Sequence, residues 1–149
     1  MESLSVFSDS HYMQEALKEA SKAEEEGEVP IGAVIVCQNR IIARAHNMTE
    51  RLNDVTAHAE MLAITAATNA IGGKYLTDCT LYVTVEPCVM CAGALAWAQI
   101  GNIVYGTKDP KRGFSLIPTT LLHPKTKVAS GLKADECSAL ISNFFKTKR

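Results

Sequence analysis

The most informative features of this chain are two short segments, His58-Ala59-Glu60 and Pro87-Cys88-Val89-Met90-Cys91. Together they supply one imidazole and two thiols, which are borderline and soft ligands that suit zinc. A structural zinc site uses four such ligands, whereas this set provides three and leaves the fourth tetrahedral position for water. The segments therefore predict a catalytic zinc site formed by His58, Cys88 and Cys91.

The spacing of the two cysteines fits the first turn of a helix. Residues three apart are neighbours on a helix surface, so Cys88 and Cys91 are predicted to present both sulfurs on one side. Pro87 suits a helix start, where its missing N–H is not needed. The positive end of the helix dipole and the metal both favour thiolates, so we expect both cysteines to bind deprotonated.

Glu60 is expected to act beside the metal and not as a ligand. Residues two apart on a regular helix point to nearly opposite sides, so His58 and Glu60 do not both face one ion as ligands. If His58 stands at the helix entrance, the Glu60 carboxylate reaches the water at the fourth position. It is then placed to take a proton from this water and to deliver it to a substrate, as general base and general acid in turn.

Each of these residues also has a simpler interpretation. A C-x-x-C pair can be a redox motif or chance, a lone histidine is usually surface or core, and a glutamate in a helix's first turn complements the dipole. A thioredoxin-like site would explain the cysteines but gives no role to His58 or Glu60. A non-catalytic, zinc-stabilised binding module would also give Glu60 no role, and nothing in the chain fills the fourth ligand position that such a module needs. The combination therefore favours a hydrolytic zinc enzyme.

The composition fits one compact domain. The chain has 149 residues and is 47% hydrophobic, which is enough for one good core, so a single domain is expected over residues 1–149. No apolar run reaches the roughly 18 residues of a membrane span, and residues 1–10 lack the features of a signal peptide. Cytoplasmic localisation is therefore expected. The three cysteines outside the zinc set are predicted to be buried thiols: Cys37, Cys79 and Cys137.

Hydrophobic periodicity predicts helices that alternate with strands, which indicates an α/β domain with helices on both faces of one sheet. A first helix follows the capping candidates Ser8, Asp9 and Ser10 and runs to about residue 27, and a hairpin turns at Gln38-Asn39-Arg40. The further predicted helices span about 57–70, 88–98 and 134–146, and the strands 31–37, 41–45, 79–85, 102–106 and a short segment near Val128.

Charge is unevenly distributed along the chain, although the formal net charge is only -1. Residues 1–105 carry six Lys and Arg against thirteen Asp and Glu, whereas residues 106–149 carry nine against three. The basic side chains of the second segment could form a phosphate-binding rim around the site, or simply a solvated surface. They include Lys108, Lys111, Arg112, Lys125, Lys127, Lys146, Lys148 and Arg149.

At the zinc segments the chain resembles the cytidine and deoxycytidylate deaminase superfamily and, within it, the bacterial tRNA-specific adenosine deaminases. The resemblance extends over most of the sequence. It includes Glu28-Val29-Pro30-Ile31-Gly32-Ala33-Val34, residues 56–60, residues 81–94, Ala134-Asp135-Glu136-Cys137 and Phe144-Phe145.

The resemblance implies a three-layer α/β/α fold with a five-stranded mixed sheet, one zinc ion per chain and a homodimer. It matches His58, Cys88 and Cys91 to the zinc ligands and Glu60 to the proton shuttle. It also matches Asn47 to an asparagine that hydrogen-bonds the substrate base. Backbone at four further positions is expected to contact the base: Val29, Pro30, Ala57 and Pro87.

The substrate implied by the resemblance is the wobble adenosine of a tRNA anticodon loop, which is converted to inosine with release of ammonia. The alternative is a deaminase of a free nucleobase or nucleoside, of the guanine or cytosine type. The chain has Ala98-Gln99 where the tRNA deaminases often have Ser-Arg, and the loop 114–127 lacks elements common in them. His46 and Trp97 are also compatible with the free-base alternative, or with ordinary packing.

Overall fold

The computed structural model describes residues 8–147 and contains one five-stranded sheet with four helices. The strands lie in the order β2-β1-β3-β4-β5, in which β1 is antiparallel to β2 and β3, whereas β3, β4 and β5 are parallel. The strands are β1 (Gly32–Cys37), β2 (Arg40–His46), β3 (Cys79–Val85), β4 (Asn102–Thr107) and β5 (Lys127–Ser130). The helices are α1 (Asp9–Glu25), α2 (Ala59–Ile71), α3 (Val89–Ala98) and α4 (Ala134–Thr147).

The helices cover both faces of the sheet because strand residues alternate between two apolar clusters. Ala33 and Ile35 of β1 pack in the cluster that contains α2 and α3, whereas Val34 and Val36 pack against α1 and against Cys137 of α4. The predicted three-layer α/β/α fold with a mixed sheet is therefore confirmed. No helix within residues 8–147 is both long enough and apolar enough to cross a bilayer.

The contact face of α2 is made of alanines, and this brings its first turn close to the sheet. Ala59, Ala63 and Ala67 are fully buried against the strands. Small side chains allow a helix axis to lie near a sheet without overpacking. Gly72 then ends the helix in the left-handed region, with a φ of 72°.

The element boundaries differ from the predicted ones mainly at helix ends. The helix α1 ends at Glu25 and not near residue 27, because Gly27 has a φ of 78°. The helices α2 and α3 begin just after His58 and Cys88, which are their N-cap residues with extended backbones. The predicted hairpin forms, with Gln38 and Asn39 at positive φ, and β2 extends to His46.

Candidate active site

One end of the sheet gathers the residues that the sequence marks as functional. The register pairs Gly32 with His46 and Val85 with Thr107, so the start of β1 lies beside the ends of β2, β3 and β4. The segments that continue from this end carry Asn47, His58 and Cys88. Residues that are distant in sequence therefore converge at a single edge of the sheet.

His58, Cys88 and Cys91 form a cluster whose ligand atoms all lie within 4.8 Å of one another. The Nδ1 atom of His58 is 3.6 Å from Sγ of Cys88 and 3.5 Å from Sγ of Cys91. Among the described residues, no fourth histidine, cysteine or carboxylate belongs to this group. One imidazole and two thiols aimed at a common point suit zinc, so the residues present fit this metal.

The local backbone explains why these side chains point at each other. His58 and Cys88 are N-cap residues, with ψ angles of 154° and 175°, and neither side chain makes the usual hydrogen bond to its own helix. The Nδ1 atom of His58 and the Sγ atom of Cys88 therefore point toward each other and not toward the N–H groups of their own helices. Cys91 lies one turn into α3 and presents its sulfur from the same side.

The two thiols differ in their affinity for protons. Hydrogen bonding by the Cys91 thiol, and then by His58, lowers the pKa of Cys88 to about 4. The neighbouring Cys88 and burial raise the pKa of Cys91. The hydrogen bond to Cys88 also raises the pKa of His58. The cluster thus stabilises a thiolate at Cys88, which is the form that binds a metal.

Glu60 lies in the first turn of α2 and is only 4% exposed. Desolvation raises the pKa of its carboxyl group to about 7. It lines a pocket of about 310 Å³ together with His58 and Cys88. The carboxylate is therefore beside the metal-binding cluster and outside the group of three donors.

The same pocket contains two of the five predicted substrate-binding residues. Asn47 and Val29 line it, with Ile31 and Val85 completing an apolar wall. Pro30, Ala57 and Pro87 are not part of the lining. The carbonyl groups of Ala57 and Pro87 accept hydrogen bonds from the backbone of Met48 and Phe114, at 3.0 Å each.

Several pocket residues were not included among the predicted site residues. Thr49, Glu86, Asp109, Arg112 and Phe145 also contribute to the walls. The basic composition after residue 105 pointed toward Arg112, and the Phe144-Phe145 pair toward Phe145, but nothing in the sequence distinguished them from their neighbours. Their selection depends on the packing of α4 and of the segment after β4 against the end of the sheet.

The two residues that suggested a free-base deaminase lie elsewhere. His46 bridges Glu19 and Glu26, at 3.2 and 3.1 Å, on the side of α1. Trp97 is 85% exposed on α3 and does not line the pocket. Neither side chain lines the pocket that contains Glu60.

The sheet order and the His-Cys-Cys cluster at two helix starts define a protein of the cytidine deaminase-like superfamily. Residues 7–149 match the family model of the MafB19-like deaminases. The chain belongs to this deaminase family.

The similarity to tRNA-specific adenosine deaminases covers most of the chain. It is 48% identical over 146 residues to a tRNA-specific adenosine deaminase of Bacillus subtilis, covering 95% of this chain and 91% of that protein. A solved structure from a study of tRNA:A34 deaminases superposes with a TM-score of 0.81 at 47% identity, covering 87% of this chain and 98% of that one. The structure of a guanine deaminase of Bacillus subtilis gives a TM-score of 0.65 at 38% identity, and the match covers 68% of this chain and 65% of that one. The predicted resemblance to bacterial tRNA-specific adenosine deaminases is confirmed.

Proposed function

We propose that this chain is a zinc-dependent hydrolytic deaminase that converts the wobble adenosine of a tRNA anticodon loop to inosine and ammonia. The observation that carries the proposal is the buried Glu60 carboxylate, which lines the same pocket as two members of the His58, Cys88 and Cys91 cluster. The choice of substrate is supported by the relatives that are 47 to 48% identical and are named for tRNA adenosine deamination.

His58, Cys88 and Cys91 would hold the zinc ion. Zinc bound in this way would supply Lewis acidity that lowers the pKa of a coordinated water to about 7. Glu60 would accept a proton as the oxygen of water adds to C6 of adenine, and deliver it to the ring nitrogen. Glu60 would then take the proton of the hydroxyl group now on C6 and deliver it to the amino group as the C6–N6 bond breaks, so that ammonia leaves and C6 keeps the oxygen as a carbonyl.

The pocket suits one nucleobase. Its volume of about 310 Å³ is small, and ligand pockets of about 300 to 1,000 Å³ are common. The apolar wall of Val29, Ile31 and Val85 can pack against the flat face of a base, and the Asn47 amide can both donate and accept hydrogen bonds at its edge. An anticodon loop already exposes its bases, so inserting one requires little unstacking.

The substrate assignment is tested by a panel. The protein should release ammonia from an anticodon stem-loop with adenosine at the wobble position, and the product should contain inosine at that position. Guanine, cytosine, cytidine and free adenosine should react much more slowly, and a stem-loop with guanosine at the wobble position serves as the matched blank. Rapid ammonia release from guanine or cytosine with an intact stem-loop would show that the chain is a free-base deaminase.

We also propose that the protein is a homodimer that uses the exposed face of α3. Met90, Gly93 and Trp97 recur at the spacing of one helix face, and Trp97 is 85% exposed. Val89 on the same helix, and Val55 between β2 and α2 in the same surface cleft, add exposed apolar surface. Such a patch marks an interaction site more often than a free surface, and a second copy of the chain brings two such patches together.

The dimer predicts a doubled mass by light scattering at micromolar protein. Trp97→Glu should reduce this mass to that of a monomer, because the introduced charge would be buried in the interface. Val128→Glu is a matched control, since Val128 is also an exposed apolar residue but lies on β5, at the edge of the sheet. A monomer mass for the unmodified protein would refute the proposal.

A further inference from the structure

Arg112 lies where three depressions of the surface meet. It lines the pocket that contains Glu60, a cleft that contains His58 and Cys88, and a larger groove of about 710 Å³ beside α4. Two other arginines, Arg44 and Arg51, form ion pairs with Glu15 and Glu26. Among the described residues, Arg112 forms no such ion pair, so its guanidinium is available to a ligand.

The segment that carries Arg112 is held in place by a buried carboxylate. Glu86 is 3% exposed, and its two oxygens accept hydrogen bonds from the backbone N–H groups of Asp109 and Ser115, at 3.1 and 2.9 Å. Asp109 shapes the turn itself by accepting from the N–H groups of Lys111 and Arg112, at 3.0 Å each. The turn is therefore fixed at both ends before any substrate binds.

Glu86 also connects this turn to the metal-binding cluster. It directly follows β3 and stands two residues before Cys88. Gly113 pairs with Cys88 in an isolated bridge, and a Cβ atom on Gly113 would collide with the Glu86 carboxylate. The turn therefore packs against the backbone at Cys88, which is a candidate zinc ligand. This contact fixes the position of the turn relative to the metal-binding cluster.

We propose that Arg112 binds a backbone phosphate of the RNA next to the inserted base, and that Glu86 is the positioning residue that holds it there. A guanidinium matches the geometry of a phosphate and binds it through two hydrogen bonds. A base in the pocket places its own phosphates within one nucleotide of the pocket mouth, where Arg112 lies. This inference rests on the proposed RNA substrate.

The other described basic residues after residue 105 do not line the pocket that contains Glu60. Lys125 and Lys127 line a depression with Thr77 and Asn102, at the opposite end of the sheet from the pocket. Lys108 and Lys111 line the groove beside α4 but not the pocket. Among the described residues of the basic segment, Arg112 is therefore the one at the pocket wall. Lys148 and Arg149 lie outside the described residues.

The first test compares Arg112→Gln, Arg112→Lys and Lys125→Gln on the adenosine stem-loop at several salt concentrations. Arg112→Gln should raise KM about tenfold, as expected for loss of a hydrogen bond to a charged group, and leave kcat unchanged. It should also lower the slope of log affinity against log salt by about 0.7 to 1 unit. Arg112→Lys should restore the slope, and Lys125→Gln should behave like the unmodified protein.

The second test concerns Glu86. Glu86→Gln and Gly113→Ala disturb the same contact from its two sides, so each should raise KM and lower the salt slope with zinc content unchanged. Neither should raise KM further in the Arg112→Gln background, because the residue they position is already gone. If Glu86→Gln folds poorly, Gly113→Ala carries the same comparison.

Three results would overturn the inference. These are an unchanged salt slope in Arg112→Gln, an equal effect of Lys125→Gln, or additive effects of Gly113→Ala and Arg112→Gln on KM. An active protein with any of these results refutes the role of Arg112 or Glu86 and leaves the proposed function standing. An unmodified protein that does not deaminate the stem-loop refutes the proposed substrate, and this inference with it.

Discussion

Replacing Cys88 or Cys91 by alanine is expected to empty the metal site and abolish deamination. Each substitution leaves two donors of the three that lie within 4.8 Å of one another, and two donors do not hold zinc in competition with water. The unmodified protein should contain about one zinc per chain by elemental analysis. The variants should contain almost none.

The same substitutions should lower stability, because a metal that binds only the folded state adds its binding free energy to folding. A loss of about 2 kcal/mol corresponds to a fall of roughly 4 to 8 °C in Tm for a chain of this size. Cys137→Ala is the matched control, since Cys137 is a buried cysteine on α4 away from the cluster. It should keep zinc and activity. Full zinc occupancy in both Cys88→Ala and Cys91→Ala would contradict the ligand assignment.

Glu60→Gln should give the second large effect, a loss of turnover without loss of zinc. Its turnover should fall by at least the roughly 10²- to 10⁴-fold typical of losing a general acid-base group. Zinc content should stay the same, because Glu60 does not belong to the group of three donors. Glutamine has nearly the same shape and carries no charge, so the buried site should tolerate it without loss of Tm.

The measurement is single-turnover deamination of the stem-loop, together with zinc content and Tm on the same samples. Glu15→Gln serves as the control, because Glu15 is a buried carboxylate on α1 that pairs with Lys18 of the same helix and with Arg44 of β2. Its turnover should be normal. Near-normal turnover in Glu60→Gln would mean that another group transfers the proton.

The local features of the fold were predictable because they depend on neighbours in sequence. The continuous apolar run of β1 and the turn residues Gln38 and Asn39 predicted the strands and the hairpin. The spacing of Cys88 and Cys91 similarly limits where their sulfurs point. The starts of α2 and α3 were displaced by one or two residues, because His58 and Cys88 are N-cap residues with extended backbones.

The remaining part of the site depends on contacts between segments that are far apart in sequence. Glu86 reaches Asp109 and Ser115 only because β3 and β4 end side by side. Lys127 and Arg112 carry the same charge in the same segment, yet they lie at opposite ends of the sheet. Composition gives the sign of a charge, whereas the register of the strands determines where it lies.

The way in which Glu86 holds its turn bears on how this family can diverge. Its hydrogen bonds reach backbone N–H groups, which every residue except proline possesses, so they are indifferent to the side chains of the residues they hold. The Asp109 carboxylate likewise binds the backbone N–H groups of Lys111 and Arg112, so these two residues can be exchanged for residues other than proline while the path of the turn is retained. Mutation at these two positions is therefore expected to change the charge at the pocket wall and in the adjoining groove while the metal-binding cluster keeps its geometry.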